Sequence, residues 1–200
     1  MKTRNRALAR ALLITVICTP VGTTAAAKEK PPVQYQLQIP VPPDFSALDW
    51  LQGQWTGKTV GNSPPGEVQL SVNSELNKHF LLLRGEVSLA ATPTVPATKE
   101  SWLGILTAIP GGGGFDLRKF ASTGFVTRYR LAVTPPEVQL NPEGGDAPPP
   151  GWLFRETWAR TGPDEFTVTV QVAPPGRAFF DYYTVNLTRV PPANKPAPEK

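Results

Sequence analysis

Three stretches of the chain alternate apolar and polar residues with a period of two. Val68, Leu70 and Val72 are separated by Gln69 and Ser71; Phe125, Thr127, Tyr129, Leu131 and Val133 alternate with Val126, Arg128 and Arg130; Phe166, Val168, Val170 and Val172 alternate with Thr167, Thr169 and Gln171. Successive side chains of a strand point to opposite faces, so this period predicts strands buried on one side. Noisier runs over 55–60, 80–89, 100–109, 115–120, 152–159 and 179–190 share it. With a weak run near Val138, the total expected is about ten strands.

Helix is nearly absent from the pattern. Asp44 is placed to cap a turn or two running through Leu51, with Phe45, Leu48, Trp50 and Leu51 as its apolar face and Gly53 as its stop. The short connections at 159–164 and 174–177 predict antiparallel hairpins. The Pro- and Gly-rich stretch 134–151 reads as a surface excursion. A meander of so many strands must close or stack if its edges are not to recruit other chains. The fold class expected is therefore all-β: an antiparallel up-and-down barrel of about ten strands with a short N-terminal helical turn.

The two ends of the chain differ from this domain. Residues 1–10 carry Lys2, Arg4, Arg6 and Arg10 without an acid, and an apolar run too short for an ordinary membrane span follows. That arrangement is expected of a signal peptide over 1–27, cut after Ala27, which places the mature chain in a secreted or periplasmic location. Residues 28–43 form a proline-punctuated extended arm, 44–190 one domain, and 191–200 a Pro-rich tail expected to be disordered. The leader's four cations equal the whole formal charge of +4, so the mature chain has no cationic surplus and nucleic acid is not an expected partner. The one cysteine, Cys18, leaves with the leader. A domain without disulfides has to rely on a sizeable core, and nothing in it predicts contact with a membrane after cleavage.

The stretch 48–58, LDWLQGQWTGK, with its Gly53-x-Trp55 entering a first strand, and the final-strand stretch TVNLTRV with Arg189 together resemble the calycins, the superfamily of lipocalins and fatty-acid-binding proteins. The segments ASTGFVTRYR at 121–130 and FRETWAR at 154–160 are most similar to a bacterial calycin-like domain of unknown function, distantly related to the nitrobindins. The resemblance covers most of 48–190. It implies a barrel closed at one end by Trp55, with Arg189 laid across the indole in a structural pair. Nitrobindins use a histidine near the start of the last strand to hold haem. Here AFFDYYTVNLTRV has none, and Tyr182 stands roughly where that ligand would be. A tyrosine can ligate haem iron, but in a strand it ordinarily packs, so no cofactor is expected.

Catalytic chemistry finds few candidates. Without a mature cysteine or a recognisable serine elbow, and with His79 the only histidine, a nucleophile lacks its base. His79 reads as a rim residue, since a metal site needs more ligands than one imidazole. PGGGGF at 110–115 lacks the Lys-Ser/Thr ending of a phosphate loop and reads as a hairpin, and the sequon at Asn186 lies inside a strand. Glu100 and Glu156 share the phase of Trp102 and of Trp152, Phe154 and Trp158, so each could face inward as a functional acid; the alternatives are a salt bridge with an inward arginine or placement at the rim.

Binding is the reading that remains. The candidates to line an open barrel are Trp102, Tyr129, Trp152, Phe154, Trp158, Phe179 and Tyr183, with Arg155 or Glu156 fixing a polar group; all of these could equally be core. The leading expectation is a carrier or sensor of a small apolar molecule. An alternative is a protein-interaction or inhibitor module presenting residues 31–43 to a protein partner, and a third is an enzyme acting through Glu156.

Overall fold

The computed structural model describes residues 39–93, 96–143 and 150–191. The expected leader, the arm as far as residue 38 and the tail from residue 192 lie outside the described residues.

Ten strands follow one another as an antiparallel meander: β1 (Gly53–Val60), β2 (Gly66–Glu75), β3 (Phe80–Leu89), β4 (Thr98–Ala108), β5 (Phe115–Ala121), β6 (Val126–Thr134), β7 (Glu137–Pro142), β8 (Leu153–Gly162), β9 (Glu165–Ala173) and β10 (Phe180–Arg189). Each pairs with its sequence neighbours, and β10 pairs with β1, so the sheet is a closed barrel. Closure gives every strand two partners for its backbone groups and leaves no edge. Because side chains alternate across the wall, one phase of every strand meets inside. Val68, Leu70 and Val72 face Val87, Gly85 and Leu83 across the β2–β3 register, and Leu81 faces Leu106 across β3–β4. Leu81, Leu83, Leu106, Leu117, Leu140 and Leu187 are almost wholly buried, each stabilising the fold by about 1.5–3 kcal/mol on area grounds.

The weak run near Val138 is a full member of the wall, with Val138 and Leu140 buried. The first part of the excursion expected from residue 134 is thus a hairpin, and 144–149 lie outside the described residues. Thr134 pairs with Glu137 around a tight turn containing the cis Pro135–Pro136 peptide, so the prolines mark the turn and not the whole segment.

A 3-10 helix, Ser46–Leu51, stands before β1, with Leu48 and Leu51 buried beneath it. Its N-cap position is Phe45, one residue later than expected; Asp44 instead accepts the Ser46 amide at 2.8 Å in the preceding bend. That bond holds the exposed Asp44 carboxyl below its ordinary pKa.

At this end the barrel is shut. The Trp55 indole N–H donates to the Leu51 carbonyl at 2.7 Å, and its ring meets Phe166 edge-on at 4.7 Å. The Arg189 guanidinium lies 4.0 Å from the Trp55 ring centroid. It also donates to the Asp164 carboxylate and to the backbone carbonyls of Trp50 and Gln52. The register places Trp55 opposite Arg189, so the pair ties the first strand to the last. Gly53, at φ +131°, is required here: a side chain would be strained, and its Cβ would meet the guanidinium at 2.5 Å.

Candidate functional site

The other end of the barrel is open, and its interior changes character part-way down. On β5 the inward phase runs Phe115, Leu117, Lys119, Ala121, because Leu117 faces Leu106 and Tyr129 on its two neighbours. On β8 the inward phase runs Phe154, Glu156, Trp158, since Glu156 faces Leu140 and Val170. The two phases bring one cation and one anion into the barrel. Lys119 Nζ donates to Glu156 Oε1 at 2.7 Å, and the side chains retain only 14% and 5% of their exposure. The second carboxylate oxygen of Glu156 accepts the Trp158 indole N–H at 3.1 Å. The ammonium also sits 4.4 Å from the Trp102 ring centroid. A Cβ at Gly85 would run into that indole, so a glycine is needed opposite Trp102 for the ring to lie where it does.

Lys119 and Glu156 floor a cavity of about 450 Å³ that opens at the mouth, within the range of small-molecule sites. Its apolar lining comes from Val87, Leu89, Phe125, Phe154 and Val170, and its polar lining from Glu100, Thr127, Tyr129, Tyr182 and Tyr183. Beneath the floor is a void of about 20 Å³ bordered by Leu70, Trp158, Val185 and Leu187, room for about one water. Burial foremost, and after it the Glu156 charge, push the Tyr129 and Tyr183 phenols well above the ordinary tyrosine pKa, with Glu100 adding to both. Both stay neutral hydrogen-bonding groups across ordinary pH.

Of the residues expected to line the barrel, Tyr129, Phe154, Glu156 and Tyr183 border this cavity, whereas Trp102 and the fully buried Trp158 border the small void beneath it. Three do not belong there. Trp152 keeps the right phase but lies just before β8 and remains 41% exposed at the rim. Arg155 is in the opposite phase from Glu156, and on the outer surface its Nε donates to Gln171 at 2.8 Å. Phe179 lies outside too, 4.4 Å beneath the Arg155 guanidinium. The reason is a β-bulge in β10: Asp181 faces Gln171 while Tyr183 faces Val170, leaving Tyr182 as an extra residue. Past the bulge the phase reverses, so Phe179 leaves the set of Tyr183, Val185 and Leu187. The bulge also lets both Tyr182 and Tyr183 border the cavity, with ring centroids 5.6 Å apart.

Sequence reasoning missed Lys119. The inward partner expected for Glu156 was an arginine, and the structure supplies a lysine instead. The signal was available, because Lys119 alternates in step with Phe115, Leu117 and Ala121. His79 stands at a loop end, as expected: it follows Leu76, Asn77 and Lys78, all at positive φ, in the turn before β3 at the closed end. Among the described residues no imidazole borders the cavity, so the histidine-held haem of the nitrobindins does not fit this donor set. Among the described residues, no group of three or more His, Cys, Asp or Glu could hold a metal ion.

No family model matches the chain, and no curated protein matches it in sequence. Among solved structures, the crystal structure of Rv2717c from M. tuberculosis superposes with a TM-score of 0.53, covering 72% of this chain and 96% of that one. The likeness is one of fold. At 18% identity it places this chain with a barrel of similar size and carries no activity across. No helix among the described residues is long and apolar enough to cross a membrane.

Proposed function

We propose that this protein is a calycin-like carrier or sensor, exported to a secreted or periplasmic location, which takes a small and mainly apolar molecule into the cavity at its open mouth. The observation that carries the reading is the cavity itself: about 450 Å³, bordered by aliphatic and aromatic side chains, above a floor whose charges are already paired. A barrel filled for stability alone has no need to stop packing half-way. Below the floor Leu70, Phe166, Leu187 and the Trp55 plug leave only the small void of about 20 Å³, whereas above it the same wall encloses about 450 Å³. The few convergent polar groups, Tyr129, Tyr183 and Glu100, would orient what the apolar wall holds. Rigid strands hold those groups in place, so binding needs little rearrangement.

The test uses Nile red, a neutral apolar dye, titrated into the mature chain, alongside native mass spectrometry of protein made in a periplasmic host. Saturable fluorescence enhancement is expected. Ala121→Phe, which fills the cavity from β5, should weaken it about tenfold while Tm moves by only a few degrees. Dye binding of equal strength in the variant would remove the cavity as the site.

A further inference from the structure

We propose that the cavity selects an organic cation, an amphiphile whose protonated amine or quaternary ammonium is held by Glu100 and the surrounding phenol faces while its apolar body lies against Val87, Leu89 and Phe154. This rests on the small-ligand reading above and adds the charge of the ligand's polar end.

Four charged groups border the cavity among the described residues: Lys99, Glu100, Lys119 and Glu156. Lys119 and Glu156 neutralise one another at 2.7 Å, and the lysine is further engaged by the Trp102 ring. Lys99 belongs to the outward phase of β4 and pairs with Glu86 at 2.8 Å. Glu100 is in the inward phase, opposite Val87 in the β3–β4 register and two residues from Trp102. It has no ion-pair partner among the described residues and is half-buried. The cavity therefore presents one carboxylate without a counter-charge. An incoming carboxylate would meet that charge with its nearest cation already engaged, whereas an ammonium would complete the missing pair.

The aromatic lining favours the same sign. Phe125, Tyr129, Phe154, Tyr182 and Tyr183 gather around this volume, and the negative face of an aromatic ring attracts cations, more strongly where water is excluded. Tyr129 and Tyr183 are kept from ionising, so they offer neutral ring faces and hydroxyls. An aliphatic wall on Val87, Leu89 and Val170 leaves room for a hydrocarbon body beside the charged end.

The experiment displaces Nile red from the full mature chain with four probes of matched tail: octylamine, octyltrimethylammonium, octanol and octanoate, all at neutral pH and below their micellar concentrations. The two cations should displace the dye at concentrations about tenfold lower than octanol, with octanoate weakest. The advantage of the cations should shrink as salt is raised. Glu100→Gln, an isosteric change at a half-buried position, is expected to remove the advantage of octyltrimethylammonium over octanol when both are measured on the variant. Equal displacement by all four probes, or a preference for octanoate, would overturn the cation assignment while the dye still reports a binding cavity. Selectivity that survives Glu100→Gln would overturn the role of Glu100. Failure of the dye to bind at all would remove the carrier reading itself, and with it this proposal.

Discussion

Lys119 and Glu156 bind each other inside the barrel with little water to screen them. Two ions taken out of water recover their lost hydration chiefly through each other, so removing one strands its partner. Lys119→Met is expected to cost about 3–5 kcal/mol of stability, measured by urea unfolding. Lys119→Met combined with Glu156→Gln should recover much of that loss, because the amide carries no charge and can still accept the Trp158 indole N–H. An equal or larger loss in the double variant would show that the pair stabilises the fold by itself. At this scale the sequence was half legible. The inward phase of Glu156 followed from its alternation with Phe154 and Trp158. Its partner did not, because Lys119 comes 37 residues earlier and only the closure of the wall sets β5 across from β8.

Within elements, alternation is a rule that one inserted residue can reverse. β8 obeys it: Glu156 enters the barrel while the adjacent Arg155 stays outside, linked through Gln171 to Asp181. Arg155→Ala should therefore cost only about 0.5–1 kcal/mol, the worth of a partly exposed cation–π and polar contact on the outer wall. A loss of several kcal/mol in thermal or urea unfolding would contradict its outer placement. β10 breaks the rule at Tyr182, and nothing local in FFDYYTV announces the bulge. Uninterrupted alternation would put Phe179 in the inward phase of Tyr183, Val185 and Leu187, and the extra residue puts it outside. Trp152 fails for a different reason: its phase is correct, but the strand starts one residue too late to bring it in. Strand existence and facing are encoded by each strand's own residues, whereas bulges and strand ends depend on what the neighbouring strand can pair.

At the scale of the whole molecule, the barrel was legible because its signals repeat around the circle and agree with the Gly53-x-Trp55 and Arg189 elements at the closed end. The cavity was not, since empty volume leaves no mark on periodicity. Its phenols do give the folded state a dependence on alkaline pH. Burial raises the pKa of Tyr129 and Tyr183 above the ordinary 10.0, so the native state retains protons that the unfolded chain would release. Their contribution is fully present below the unfolded value and is lost as pH rises above it towards the folded values. Urea midpoints should therefore fall as pH climbs beyond 10.0. Tyr129→Phe with Tyr183→Phe should flatten that fall, and an unchanged slope would show that other groups cause it.

The union of β10 with β1 also bears on how this molecule can meet others. Each wall strand already shares its peptide groups with a neighbour on either side, so no strand among the described residues lies ready to be extended by a foreign peptide or a growing fibril. Association through the wall must consequently use side chains, and the exposed Phe125, Trp152, Leu153 and Phe180 around the opening are the apolar ones nearest to hand.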